Sequence, residues 1–138
     1  MTPLVSTTVK VWPERPTAAD AEAVVRGYVG LLRAGRVDDA AQLVDHSSAR
    51  HVLSSVWRAA SEAMTDPDDP IHRRADDWER DLSWLGDVDI ARGVRWSETG
   101  THLCADVTYR GVRTELELSF RVTPAAAGWV VAGPATLW

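Results

Sequence analysis

The sequence predicts an α+β domain in which N-terminal helices pack on a curved, mainly antiparallel sheet. Its 138 residues suit a single hydrophobic core. Apolar residues recur at helical spacing through the first 86 residues, and apolar and polar residues alternate from Asp87 onward. Helices followed by strands are typical of the α+β class. We therefore expect one domain over residues 17–138, preceded by an N-terminal arm or edge strand over residues 1–16.

Three helices are predicted in the first half of the chain. Thr17 stands three residues before Asp20, as in a capping box, and Gly35 is placed to end the first helix in the left-handed conformation. A short second helix is expected near residues 38–45, and a third over residues 48–64. The apolar stripe of the first helix consists of Ala21, Val24, Val25, Tyr28, Leu31 and Leu32.

The segment that follows combines a chain break with a fourth helical pattern. Two prolines and three aspartates in TDPDDP predict a turn. Apolar residues then return to helical spacing over residues 71–86, which Gly86 would end. Nine acidic and three basic residues lie between Asp66 and Asp89, so the acidity of the chain is local. We expect an acidic helix there, either as a solvated face or as a docking surface for a basic protein.

A period of two predicts strands from Asp87 to the end of the chain. Val88, Ile90, Val94 and Trp96 share one parity with Arg92, which either reaches inward toward a carboxylate or marks a bulge that turns it outward. The runs THLCADVTYR and VRTELELSFRV should pair as a hairpin around Arg110-Gly111, and GWVVAGPATLW adds a last strand. The inward set of the hairpin is expected to be Leu103, Ala105, Val107, Tyr109, Val112, Leu116, Leu118, Phe120 and Val122.

Composition argues against several classes of partner. A net charge of −5 and a pI of about 5.3 disfavour binding to nucleic acid, which depends on clustered Lys and Arg. No apolar stretch approaches the roughly 18 residues of a membrane span, and the N-terminus lacks the pattern of a signal peptide. The single cysteine, Cys104, cannot form an intrachain disulfide, so we expect a cytoplasmic protein. His46 and His51 lack zinc-binding spacing, and we expect no metal and no cofactor.

Two stretches resemble a known superfamily. AVVRGYVGLLRAGRVDDAAQLV is similar to the opening of NTF2-like, cone-shaped domains, including SnoaL-like proteins, and most closely to bacterial ketosteroid isomerases. VTYRGVRTELELSFRVTPAAAGWVV resembles their closing hairpins. The resemblance covers somewhat under half of the chain, and it implies a cone with an apolar cavity and a homodimer. By motif the family's tyrosine matches Tyr28, but its aspartate base falls near Val52 and its second donor near Leu118, which cannot do that chemistry.

The leading hypothesis from this resemblance is an NTF2-like domain that encloses a small hydrophobic molecule. It would bind the molecule or assist a modest isomerisation, cyclisation or dehydration, so enzyme activity stays open. Tyr28 is the candidate catalytic residue; Trp57, Trp96 and Tyr109 would form walls, and Arg92 would contact an anion. For Tyr28 and the tryptophans the alternative is core packing.

The alternative for the whole protein is a non-catalytic interaction or regulatory module. It would act through the outer sheet face or through the acidic helix over residues 71–86. The outer face is expected to carry Arg113, Glu115, Glu117 and Arg121.

Overall fold

The computed structural model describes residues 9–45 and 48–138 of the chain. Helices pack against a strongly curled antiparallel sheet that forms half of a barrel, which confirms the predicted α+β class. The helices are α1 (Ala18–Arg33), α2 (Val37–Leu43) and α3 (Ala49–Ala63). The strands are β1 (Val88–Ile90), β2 (Arg95–Trp96), β3 (His102–Tyr109), β4 (Val112–Ala125) and β5 (Gly128–Leu137). Two 3-10 helices, Pro70–Arg74 and Leu82–Asp87, connect α3 to β1.

The first helix begins and ends where the sequence predicts. The Thr17 hydroxyl accepts a hydrogen bond from the Asp20 backbone N–H at 3.2 Å, which caps the first turn. Gly35 has a φ of 76°, and its N–H donates to the carbonyl of Leu32 at 2.9 Å. The next N–H, that of Arg36, reaches the carbonyl of Leu31 at 2.9 Å, completing a Schellman motif. Local cap chemistry therefore fixes the length of α1.

The acidic segment differs from its prediction, because residues 71–86 do not form one helix. The Asp69 carboxylate accepts from the Ile71 N–H at 3.0 Å, and the Asp81 carboxylate accepts from the Ser83 N–H at 3.0 Å. Each bond starts a short 3-10 helix, and Asp81 itself is extended. Aspartate side chains compete for backbone N–H groups in this way, which favours caps and turns over a continuous helix.

The sheet has the order β1-β3-β4-β5, with β2 also paired to β3, and every pairing is antiparallel. The β3–β4 hairpin turns at Arg110 and Gly111, whose φ values of 51° and 77° give the two-residue turn that matches sheet twist. The predicted hairpin is confirmed. Arg92 and Gly93, with φ values of 54° and 81°, form a second left-handed turn that separates β1 from β2.

A bulge bends the sheet between β3 and β4. The register shifts between Asp106 and Thr108. The Thr114 hydroxyl, which is buried, donates to the Val107 carbonyl at 2.8 Å and accepts from the Leu116 N–H at 3.2 Å. A buried hydroxyl therefore satisfies backbone groups at the bulge, and the bulge adds the twist that curls the sheet.

The core lies between the helices and the inner face of the sheet. Tyr28 of α1 meets Phe120 of β4 edge to face, with ring centroids 5.3 Å apart, and both residues have 0% exposure. The inward set predicted for the hairpin is buried except for Val112, which is 46% exposed at the hairpin end. The alternation of side chains along a strand determines which face of the sheet a residue lies on. It does not determine whether another element covers that face, and Val112 is left uncovered.

Two short segments pair with the outer edge of β5. Trp12 and Trp129 exchange backbone hydrogen bonds of 2.9 and 2.8 Å. Further along, the Asp45 N–H donates to the Val131 carbonyl and the Gly133 N–H donates to the Asp45 carbonyl, each at 2.9 Å. Residues 1–8 of the predicted arm lie outside the described residues. Over the described ranges, no helix combines the length and apolar character needed to cross a membrane.

Candidate functional site

The candidate site is a pocket where the β3–β4 hairpin meets the two 3-10 helices. Its volume is about 140 Å³, the share of roughly four or five water molecules in the liquid. It is lined by Pro70, Ile71, Arg74, Ser83, Trp84, Asp87, Tyr109 and Arg110. We call it the Tyr109 pocket.

Tyr109 supplies a polar group that has no hydrogen-bond partner among the described residues. The residue is 1% exposed and lines the pocket, and no described residue exchanges a hydrogen bond with its hydroxyl. Burial raises the pKa of Tyr109, against the opposing effect of the Arg110 charge, so the phenol stays neutral and can donate. The hydroxyl is open to the pocket, so it can donate a hydrogen bond to an acceptor bound there.

Arg110 ties the hairpin turn to the 3-10 helices beside Tyr109. Its Nε lies 3.4 Å from Asp87 Oδ2, and its Nη1 lies 3.3 Å from Asp69 Oδ2. The guanidinium stands 5.5 Å from the centroid of the Tyr109 ring. Arg110 is therefore already balanced by two carboxylates while it borders the pocket.

Arg74 contributes a second guanidinium to the pocket wall. Its Nη2 donates to the Ser83 hydroxyl at 3.2 Å, and its Nη1 forms an ion pair with Asp81 and lies 3.9 Å from Asp77. Arg74 and Arg110 are thus each paired with two carboxylates. The pocket presents polar groups without an unbalanced positive charge, which favours a neutral ligand over an anion.

Tryptophans support the pocket from behind. The Trp57 ring stacks on Trp78, with centroids 5.5 Å apart and an interplanar angle of 3°, and meets Trp84 edge to face at 5.5 Å. Trp84 Nε1 donates to the Trp78 carbonyl at 2.9 Å. Three tryptophans thus pack together at this end of the sheet, and Trp84 is the one that lines the pocket.

The other candidate residues lie elsewhere. Trp96 is held against α1, where its Nε1 donates to Glu22 Oε1 at 2.8 Å. Tyr28 lines none of the five pockets described over residues 9–45 and 48–138. Arg92 is exposed in its left-handed turn, the outward position of the two that its sequence left open. Val52 and Leu118 are each 1% exposed in the apolar core.

Comparisons with models of protein families, with curated proteins and with solved structures find no match to this chain. Histidine 46 lies outside the described residues. His51 Nε2 lies 3.0 Å from the Thr136 hydroxyl. Within the described ranges, no three His, Cys, Asp or Glu side chains gather as metal ligands.

Sequence reasoning named Tyr109 and Trp57 but missed the polar half of the pocket. Arg74 and Ser83 come from the segment that the sequence predicts as one helix, and the sequence predicts Arg110 only as part of the hairpin turn. One local signal indicates the position of the pocket. Tyr109 directly precedes the predicted turn, so it lies at the end of a strand. What faces that end depends on a long-range contact with the 3-10 helices.

Asp81 gives the pocket wall a dependence on pH. The Arg74 guanidinium, followed by the Ser83 N–H, lowers the pKa of Asp81 to about 2. A depressed pKa in the folded state adds stability above the ordinary value near 4, and that stability is lost as the pH falls toward 2. We expect Asp81→Asn to be less stable than the wild type at pH 7, with a difference that shrinks between pH 4 and pH 2 in urea titrations. The exposed Asp76, whose carboxylate has no partner among the described residues, supplies the control. For Asp76→Asn, we expect the difference in unfolding free energy from the wild type to be independent of pH. The same independence of pH in Asp81→Asn would contradict this role of Asp81.

Proposed function

We propose that this protein binds a small molecule with an apolar body and a hydrogen-bond acceptor in the Tyr109 pocket. The observation that carries the proposal is the neutral Tyr109 hydroxyl, which belongs to a buried residue, borders the pocket and has no hydrogen-bond partner among the described residues. The pocket wall is mainly polar, and Ile71 and Trp84 supply the apolar part against which a small molecule would pack.

The chemistry of the walls narrows the ligand. Ile71 and Trp84, 1% and 4% exposed, offer apolar surface to the body of the molecule. Tyr109 would donate to its acceptor atom. Arg74 and Arg110 are already paired with carboxylates, so a charged ligand would gain no unbalanced partner. A small neutral molecule is the ligand that these walls favour.

We also propose that the chain is an NTF2-like domain. The curled half-barrel with helices on its inner face supports this, together with the two stretches that resemble the superfamily. Tyr109 then takes the orienting role that the resemblance gave to Tyr28. The free thiol of Cys104 supports the further proposal that the protein works in the cytoplasm.

The two tyrosines of the chain provide a matched test. Cyclopentanone, a neutral apolar ring with one acceptor oxygen, is titrated into ¹⁵N-labelled protein. We expect saturable shifts at the Trp84 indole N–H and at the Ile71 and Arg110 amides. Tyr109→Phe should weaken the binding about threefold to tenfold, the value of one hydrogen bond, and Tyr28→Phe should leave it unchanged.

Unfolding of the same variants supplies a readout that needs no ligand. No described residue hydrogen-bonds the Tyr109 hydroxyl, so Tyr109→Phe should leave the free energy of unfolding close to that of the wild type. A loss of more than about 1 kcal/mol would show that the hydroxyl has a protein partner and would refute the proposal. Equal binding by the two tyrosine variants would also refute it.

The second candidate function is a homodimer or protein-interaction module that uses the outer sheet face. A groove of about 550 Å³ lies there, with Ala135 and Leu137 on its wall, and Leu137 is 46% exposed. The charged part of this face gives less support, because Arg95 and Arg113 are paired with Asp106 at 3.0 and 2.8 Å. Sedimentation equilibrium would detect the homodimer as twice the chain mass of 15.1 kDa.

A further inference from the structure

Two adjoining depressions lie where α1 passes β1 and the turn that follows it. Their volumes are about 270 and 480 Å³, and Arg33, Asp89 and Ile90 line both. Arg26 lines the first depression and Arg92 lines the second. We call the pair the arginine groove.

The carboxylates of the arginine groove are already balanced, and two of its guanidiniums are not. Asp89 pairs with Arg33 at 3.5 Å, and Asp87 pairs with Arg110 at 3.4 Å. Arg26 and Arg92 have no hydrogen bond, ion pair or ring contact with any described residue. Among the described residues, the groove therefore holds two guanidiniums without a carboxylate partner, on a chain whose net charge is −5.

Unpaired arginines are uncommon elsewhere in the described part of the chain. Most of the described arginines pair with a carboxylate, and Arg15 and Arg80 donate to backbone carbonyls. Four make no such contact within the described ranges, namely Arg26, Arg73, Arg92 and Arg121. Half of this group thus faces one groove, which distinguishes it from the rest of the surface.

Glycines let Arg26 extend over the turn that carries Arg92, and they leave the floor of the groove open. Arg26 Nη2 lies 3.8 Å from the position that a Cβ on Gly93 would take, so Arg26 reaches over the turn that carries Arg92. A Cβ on Gly30 would meet no atom within 4 Å, although Gly30 lies inside α1. The floor beside it is apolar, formed by Val29 and Ile90.

We propose that the arginine groove binds a small organic oxyanion, its charged group between Arg26 and Arg92 and its short apolar chain over Gly30. Guanidinium groups suit carboxylate and phosphate oxygens because their N–H donors match them in pairs. Tyr109 and Trp84 take no part in this site, so this proposal and the proposed function stand or fall separately.

Hexanoate is the probe, titrated into ¹⁵N-labelled protein at constant ionic strength. We expect saturable shifts at the Gly30 and Gly93 amides, with binding at least fivefold weaker in Arg26→Gln and in Arg92→Gln. Gly30→Leu, which fills the floor and keeps every charge, should weaken binding to a similar extent. The matched controls Arg73→Gln and Arg121→Gln remove unpaired arginines elsewhere and should bind like the wild type. Hexanamide, the uncharged analogue, should bind at least fivefold more weakly than hexanoate.

Inorganic phosphate and chloride separate the specific site from a diffuse charge effect. Phosphate should shift the same amides, and this shift should disappear in Arg26→Gln. Chloride at equal ionic strength should not shift these amides. Equal shifts with chloride, equal binding of hexanamide, or unchanged binding in both Arg26→Gln and Arg92→Gln would each overturn the proposal. Tyr109→Phe should bind hexanoate as the wild type does.

Discussion

Replacing Gly128 by alanine is expected to lower the free energy of unfolding by about 2–4 kcal/mol. Gly128 has a φ of 142°, a conformation that residues with a side chain rarely adopt. A Cβ there would lie 2.3 Å from the Trp12 carbonyl oxygen and 3.0 Å from Val11 Cγ1. Trp12 cannot move away cheaply, because its backbone is bonded to Trp129 at 2.9 and 2.8 Å.

Urea titration of Gly128→Ala measures this loss directly. Gly86→Ala is the matched control, since a Cβ on Gly86 would meet no atom within 4 Å and its φ is ordinary. The control should change the free energy of unfolding by less than about 1 kcal/mol. Similar losses of unfolding free energy in the two variants would show that Val11 and Trp12 do not pack closely against Gly128 at the start of β5.

Replacing Phe120 by alanine is expected to cost about 3–5 kcal/mol of stability. Phe120 has 0% exposure and packs edge to face on Tyr28, so its removal leaves a cavity in the middle of the core. Val112→Ala, on the same strand at a residue that is 46% exposed, is the control and should cost less than about 1 kcal/mol.

The size of the Phe120→Ala effect also bears on the shape of the interior. A packed core loses both the transfer free energy of the ring and the contacts of the atoms around it. An open hollow beside Tyr28, as the resemblance to cone-shaped domains implies, would already lack part of those contacts. A loss below about 1 kcal/mol would therefore contradict the packed interior and return Tyr28 to consideration as a ligand contact.

Local signals in the sequence predicted most of the fold. Thr17 and Gly35 encode the ends of α1, Thr17 through a side-chain hydrogen bond to a backbone N–H and Gly35 through backbone hydrogen bonds, all within a few residues. Arg110-Gly111 encodes the hairpin turn in the same way, and strand parity gave the buried face of β3 and β4. Features of this kind need no knowledge of distant neighbours, which is why they can be recognised in one sequence.

The parts that could not be predicted depend on long-range contacts or on competing local bonds. Asp69 and Asp81 capture backbone N–H groups, and this divides a stretch whose apolar spacing is helical. Tyr28 and Tyr109 both lie on apolar stripes, and of the two, Tyr109 lines one of the described pockets, because the 3-10 helices border it there. Sequence periodicity predicts that each tyrosine is buried, but it does not predict which residues surround it.

The short bridges along β5 bear on how this protein behaves at high concentration. An unpaired outer strand offers a row of backbone donors and acceptors on which a second molecule can build, and proteins with such rims tend to join into ribbons. Here Trp12 and Asp45 occupy that rim at Trp129 and at Val131–Gly133. The half-barrel is thereby shielded from growth by strand addition along this stretch, with two single residues doing what a whole extra strand does in other sheets.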